Sequence, residues 1–425
     1  MTLSSQGGFS LRILLSEGSS SSAREAITAL GLAGHEIEIC DPDPYCLGRF
    51  SRFVTRYHRC PGLAADPLGY WRFVRDLLAR RHFDILIPIH EQGFLFAKVQ
   101  EELSRMVAIA LPSFDSYRRA LSKAEFSQIL SELDLPQPET VFIFNFHDLR
   151  EFAHFPFILK MPIATASRGV WLISDKADLE RVSSELKDTI SSGILVQQVI
   201  TGPVEHAQAV FCKGRLVGMH AYRQLARGAG GGPAVKESVR RGLVRSHLKR
   251  IGEFLQWHGG LSVDYILEAG GELPRYIDCN PRLVEPINAL MSGLDLVDLL
   301  VRVSLGEEPP EGPDDREAVR THLAIQAMLG CAARGGSRLD ILHESWRLVS
   351  HSGIYAGSSE ELTPVRWDWP SAIPALFAAL WLLLNPKVAQ VLPKVAWGAH
   401  LLTSDAIRRI EEEIVLPNPA DPTAG

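Results

Sequence analysis

Apolar residues recur along this chain in two rhythms. The runs LRILL at 11–15 and DILIPI at 84–89 are apolar enough to read as strands of a parallel sheet covered on both faces. After the first run, EGSSSS at 17–22 is a polar turn, 23–32 a helix with Ala26, Ile27 and Leu30 inward, and 36–39 the next strand. The serines at 19–22 suit helix capping better than a phosphate contact, and no GxGxxG marks a dinucleotide site. A helix over 71–81 precedes DILIPI. His90 and Glu91 stand just past that strand, at the edge where open α/β sheets bind ligands. A helix N-terminal carboxylate is the plainer reading of Glu91. An N-terminal α/β domain over 10–112 follows.

The second rhythm is mixed. A helix over 122–133 ends at LPQP, and strands are expected at 140–144, 156–160, 170–173 and 194–200, with the loop PIATASRG before the third and a helix over 178–188. Segments 207–212 and 215–219 form a hairpin across Lys213-Gly214. The glycine-rich stretch 226–234 is expected to be mobile. Apolar positions 239, 243, 244, 248, 251, 254 and 255 predict a helix over 237–257, whose other face, Arg240, Arg241, Arg245, Lys249 and Arg250, reads as solvated. Two strands, 261–267 and 274–279, meet at Gly270-Gly271. Asp264 and Asp278 interrupt them, which is costly unless a cation or hydrogen bonds compensate. A helix runs from 293 to 305, GEEPPEGPDDRE at 306–317 reads as a linker, and 318–425 as a mainly helical region.

That last region holds IPALFAALWLLL at 373–384, twelve residues without a charge, and a largely apolar stretch at 388–402. Neither reaches the roughly 20 residues that span a bilayer. Buried helices are expected, with membrane contact through 373–402 the lesser alternative. Trp346, Trp367, Trp369, Trp381 and Trp397 read as core.

Composition narrows the picture. A length of 425 residues suits about two or three domains, and 46% apolar with 22% charged residues is the profile of a folded soluble protein. A formal net charge of −6 gives no reason to expect nucleic acid. Six cysteines without a CxxC pair point to a reducing compartment rather than a metal site. The short apolar stretch near Arg12 does not reach the length of a signal peptide's apolar region, so a cytoplasmic enzyme is expected.

Four motifs, in order, resemble the ATP-grasp superfamily, in particular carbamoyl phosphate synthase halves, biotin carboxylase and bacterial carboxylate–amine ligases. FPFILKMPIATASRGV resembles its lysine-bearing strand and small-residue loop, and ILVQQVITGPVEHAQ its hinge and ribose site. LSVDYILEAGGELPRYIDCNPR resembles its metal-binding strands, and Ser122-Lys123 the lysine before the grasp domain. The likeness covers about 15–305. It implies an α/β fold in which an open parallel-sheet domain precedes an ATP-grasp domain at 113–305, divided at 200/201, with the helical region last.

The resemblance implies that Lys160 and Lys123 approach the phosphates of ATP, that Ser167 and Gly169 belong to the lid, and that Gln198 and Ile200 meet the adenine and Glu205 the ribose. Arg168 reads equally as a phosphate contact or a solvent-facing arginine. Alanines replace lid glycines here, and glutamine replaces the usual glutamate at 198. Asp264, Asp278 and Asn280 are the implied Mg²⁺ ligands, for two ions, with Mn²⁺ an alternative. Aspartate at 278 replaces the family's glutamate. Arg282 is implied as catalytic, with Lys160, stabilising the phosphoryl group and an acyl phosphate. Position alone suggests Glu91, His220, Tyr222, Arg223, Asn288 and the loop 228–232 as substrate contacts.

The implied reaction is ATP-dependent joining of a small-molecule carboxylate to an amine or thiol through an acyl phosphate, releasing ADP and phosphate, by a homodimer. The alternatives are carboxylation or carbamoyl transfer on the same fold, a non-catalytic nucleotide-binding module, and a membrane-peripheral protein.

Overall fold

The computed structural model describes residues 10–151, 155–163, 169–186, 190, 193–268, 270–271, 273–390 and 398–414. It opens with β1 (Arg12–Leu15), α1 (Ser21–Leu32), β2 (Glu36–Asp41), β3 (Val54–Arg59), α2 (Pro67–Arg80), β4 (Ile85–Ile87), α3 (Gln92–Lys98) and α4 (Gln100–Leu103). The strands form one parallel sheet in the order β3-β2-β1-β4. Ile13, Leu14 and Leu15 are wholly buried, as a central strand covered on both faces requires. Strand β3, VTRYHR, escapes the sequence pattern because it is a half-exposed edge strand with polar residues at most positions.

Helices α5 (Phe114–Leu121) and α6 (Lys123–Glu132) lead into a small antiparallel sheet. It contains β5 (Thr140–Ile143), β6 (Phe157–Lys160), β7 (Val170–Ile173) and β8 (Ile194–Gln198), ordered β5-β8-β6-β7, with α7 (Phe146–Glu151) and α8 (Lys176–Glu185) between strands. A larger sheet follows. Its strands are β9 (Val204–Cys212), β10 (Arg215–Arg227), β11 (Pro233–Ser238), β12 (Gly259–Leu267), β13 (Pro274–Asn280), β14 (Arg320–His322) and β15 (Ser359–Glu360), ordered β13-β12-β9-β10-β11-β14-β15. Helices α9 (Gly242–Leu255), α10 (Ile287–Ser292) and α11 (Leu296–Ser304) lie in its connections. Lys213 and Gly214, both at positive φ, close the β9–β10 hairpin as a two-residue turn demands.

The chain ends in α12 (Ala324–Ala333), α13 (Arg338–Val349), α14 (Ala372–Leu384) and α15 (Ser404–Glu413). The last region is therefore mainly helical, but its β14 and β15 extend the large sheet.

Three expectations change. Residues 233–238 form strand β11, paired with β10, where the mobile glycine-rich stretch was expected to reach 234 and the helix to begin at 237; the helix begins at Gly242. An unpartnered β10 edge would leave buried backbone groups unsatisfied, which outweighs the helical spacing read from the side chains. Segment 306–317 is a strap rather than a free linker. Gly312 N donates to Val217 O at 2.8 Å, and Glu311 and Asp314 pair with Arg245 at 2.7 and 2.6 Å. The basic face of α9 is thus partly covered by acid rather than solvated. Finally, α14 is not a buried helix. Only Leu382 is fully enclosed, while Leu376, Phe377, Leu380, Trp381 and Leu384 are each at least half exposed. Trp346 and Trp369 are also exposed, so they are not core; Trp397 lies outside the described residues.

Candidate active site

Strands β12 and β13 pair with Asp264 opposite Asp278 and Ser262 opposite Asn280. The two-residue period of a strand sends Asp278 and Asn280 to one side while Cys279 is buried on the other. Lys123 is the first residue of α6, placed by the Ser122 cap and by its own N–H, which donates to Pro162 O at 2.7 Å. Its ammonium bridges both Asp278 oxygens, at 2.7 and 2.9 Å. Lys160, at the end of β6, donates to Ile277 O at 2.8 Å. Both lysines are buried. Burial pushes Lys160 down to about 8, with Lys123 adding to the effect and Asp278 and Asp264 opposing it.

Asp264 accepts from His206 Nδ1 at 2.7 Å. Burial alone would raise the Asp264 carboxyl, but His206 outweighs it and holds it below its ordinary value. Conversely, burial would lower His206, and Asp264 raises it instead. Beyond these carboxylates, Arg282 Nη1 donates to Asn280 Oδ1 at 2.8 Å, and Nη2 lies 3.5 Å from His90 Nε2. Burial, then Arg282, pushes His90 well below its ordinary value. A neutral imidazole is the form that accepts from a guanidinium. The Arg282 Nε is buried with no hydrogen-bond partner among the described residues.

The structure thus gathers Lys123, Lys160, Asp264, Asp278, Asn280 and Arg282. Gly169 joins the same neighbourhood through the bond from Met161 N to its carbonyl, at 2.8 Å and with its φ at +68°; Ser167 lies outside the described residues. Gln198 is exposed at the end of β8, and Ile200 is half-buried on the crossing to β9.

Other candidates are placed elsewhere. Glu205 is fully buried and accepts from Arg223 Nε at 3.0 Å, Arg241 Nε and Nη2 at 2.7 Å each, and Tyr265 Oη at 3.1 Å. Four donors thus converge on the Glu205 carboxylate, Arg223 among them. His220 is enclosed between Asp315 and Asn288 Oδ1, and Asn288 Nδ2 donates to Thr321 Oγ1 at 2.6 Å. Both are hydrogen-bonded inside the fold. Glu91 is buried and accepts from Leu402 N, so the C-terminal segment covers the sheet edge where it was expected to face a ligand.

A buried cluster was missed by the sequence reading. Lys236 Nζ lies 2.7 Å from Glu285, 2.6 Å from Glu361 and 3.9 Å from Glu25, and 5.1 Å from the Tyr222 ring centroid. Tyr222 stacks on His206 at 4.9 Å, linking this cluster to Asp264. Burial, then Glu361, raises Glu25 well above its ordinary value, whereas the carboxylates outweigh burial to raise Lys236. The partners that single out His206 and Lys236, Asp264 and the three glutamates, lie far from them in sequence.

The donor set suits a hard divalent cation. Asp264 and Asp278 offer carboxylate oxygens on adjacent strands, both partly open to solvent, with the Asn280 amide oxygen on the same side.

No protein-family model matches the chain. Over 232 residues it is 25% identical to the carbamoyl phosphate synthase large chain of Clostridium acetobutylicum, covering 48% of this chain and 20% of that protein's length. The fold is similar to the biotin carboxylase domain of Hydrogenobacter thermophilus 2-oxoglutarate carboxylase, a dimer in complex with MgADP, ADP and bicarbonate. That likeness has a TM-score of 0.58 and 15% identity, over 73% of each chain. It is also similar to Staphylococcus aureus N5-carboxyaminoimidazole synthetase complexed with ADP (TM-score 0.59, 11% identity, 76% of this chain and 84% of that one). A third likeness is to the L-amino acid ligase of Bacillus licheniformis (TM-score 0.55, 15% identity, 71% and 75%). By its sheet order and these likenesses, the chain has the ATP-grasp fold.

Proposed function

We propose that this protein is an ADP-forming ligase that activates a small-molecule carboxylate as an acyl phosphate and transfers it to an amine. One observation carries the reading: two buried ammonium groups, Lys123 and Lys160, converge on the Asp278 end of a carboxylate pair, with Arg282 beyond it. Such a convergence suits a polyphosphate and its counter-ions.

In this reading Lys160 and Lys123 hold the phosphates and steady the departing ADP. Asp264, Asp278 and Asn280 would hold Mg²⁺, which supplies neutralisation of phosphate charge when bound. His206 keeps Asp264 ionised and oriented. The acceptor carboxylate attacks the γ-phosphorus, the bond to ADP breaks, and Arg282 stabilises the charge on the transferred group. An amine then attacks the acyl carbon and phosphate leaves. Gln198 and Ile200 line the nucleotide's base end in this reading. Bicarbonate is itself a carboxylate-like acceptor, so a carboxylating relative would share the first step.

The test is hydroxylamine trapping. Protein, ATP and Mg²⁺ are incubated with single carboxylates, amino acids first, and the hydroxamate and ADP are measured. Carboxylate-dependent hydroxamate, lost in Arg282→Ala, is expected. ADP release stimulated by bicarbonate alone, without hydroxamate from any organic acid, would overturn the amide-forming reading in favour of carboxylation.

A further inference from the structure

Helices α13 and α14 leave an apolar face uncovered. Leu376, Phe377, Leu380, Trp381 and Leu384 of α14 are about half to three-quarters exposed, as are Leu339, Leu342, Trp346 and Val349 of α13. The α13 residues form a single stripe by their helical spacing. Arg338 Nη2 donates to Leu384 O at 2.8 Å, so the start of one helix is tied to the end of the other. Trp369 stands exposed just before α14. Ten such side chains amount to roughly 1,000 Å² of apolar surface, beyond the few hundred of an ordinary patch.

The charges around this face are one-sided. Arg334, Arg338, Arg366 and Lys387 are exposed. Of the acids between 334 and 390, Glu361 and Asp368 are fully buried, Glu360 and Glu344 are half-buried and hydrogen-bonded, and only Asp340 is exposed. An isologous pairing of two copies would set this basic rim against itself. An anionic lipid surface would complement it, with apolar side chains entering the acyl boundary and tryptophans at headgroup level. No helix among the described residues is long and apolar enough to cross a membrane. We propose that the α13–α14 face docks on an anionic membrane surface, with both helices lying in its plane.

Flotation of the full chain with phosphatidylcholine vesicles, with and without phosphatidylglycerol, tests this. Binding to the anionic vesicles is expected, weakened by salt, and reduced at least about tenfold in Phe377→Glu/Trp381→Glu. Arg366→Glu/Lys387→Glu should reduce it while leaving the apolar face intact. Both variants alter exposed side chains, and unchanged thermal melting verifies that they fold. No flotation by the native chain, or flotation that neither variant changes, would overturn the proposal. So would a concentration-dependent dimer in sedimentation that Phe377→Glu/Trp381→Glu abolishes while vesicles bind nothing.

Discussion

Lys160 is the residue whose chemistry can be read most directly in solution. Its ammonium is pushed down to about 8, chiefly by burial, so it is mostly charged at neutral pH. Bound phosphates would favour the charged form. Nucleotide affinity should therefore fall above pH 8, by up to about tenfold per pH unit, and the fall should flatten in Lys160→Arg. Stability carries the opposite sign. Between about 8 and the ordinary lysine value near ~10.4, the unfolded chain binds a proton that the folded chain lacks, so this residue's contribution to stability rises with pH there. Calorimetric titrations and urea melts across that window read the two trends separately. Lys160 stands out in the sequence because its charge ends an apolar run. The internal partners of Glu205, Arg223 and Arg241, lie 18 and 36 residues away, so only the fold shows them.

At the scale of elements, the crossing from the small sheet to the large one is fixed by a close approach at Gly202. A β-carbon there would lie 1.8 Å from Leu267 O, an overlap that only a backbone shift relieves. Gly202→Ala should destabilise the protein by roughly 1–3 kcal/mol and displace the Gln198–Ile200 crossing, visible as a lower urea midpoint. The strands on either side were legible from alternation, as were β12 and β13. Strand β11 was not, because residues 233–238 follow a run of glycines and lead into true helical periodicity. The pairing partner that decides the matter, β10, is invisible in local pattern.

For the whole molecule, Lys236 is the point where four regions meet: α1 through Glu25, β11 itself, the segment after β13 through Glu285, and the segment after β15 through Glu361. Lys236→Met would leave three buried carboxylates without their cation, and a loss of about 3–5 kcal/mol is expected by chemical denaturation. The C-terminal region's return to the sheet edges could not be read from the sequence. That return joins residues far apart in sequence, through the β11–β14 pairing and contacts such as Glu361 to Lys236 and Leu402 to Glu91. What the assembled molecule does depends first on whether its cleft takes a nucleotide. The most direct measurement is Mg²⁺-dependent ATP binding by calorimetry for the native chain, Lys160→Ala and Asp278→Ala. Binding by the native chain, dependent on Mg²⁺ and lost in both variants, is the predicted result. A well-folded native chain that binds no ATP, or variants that bind it unchanged, would contradict the account.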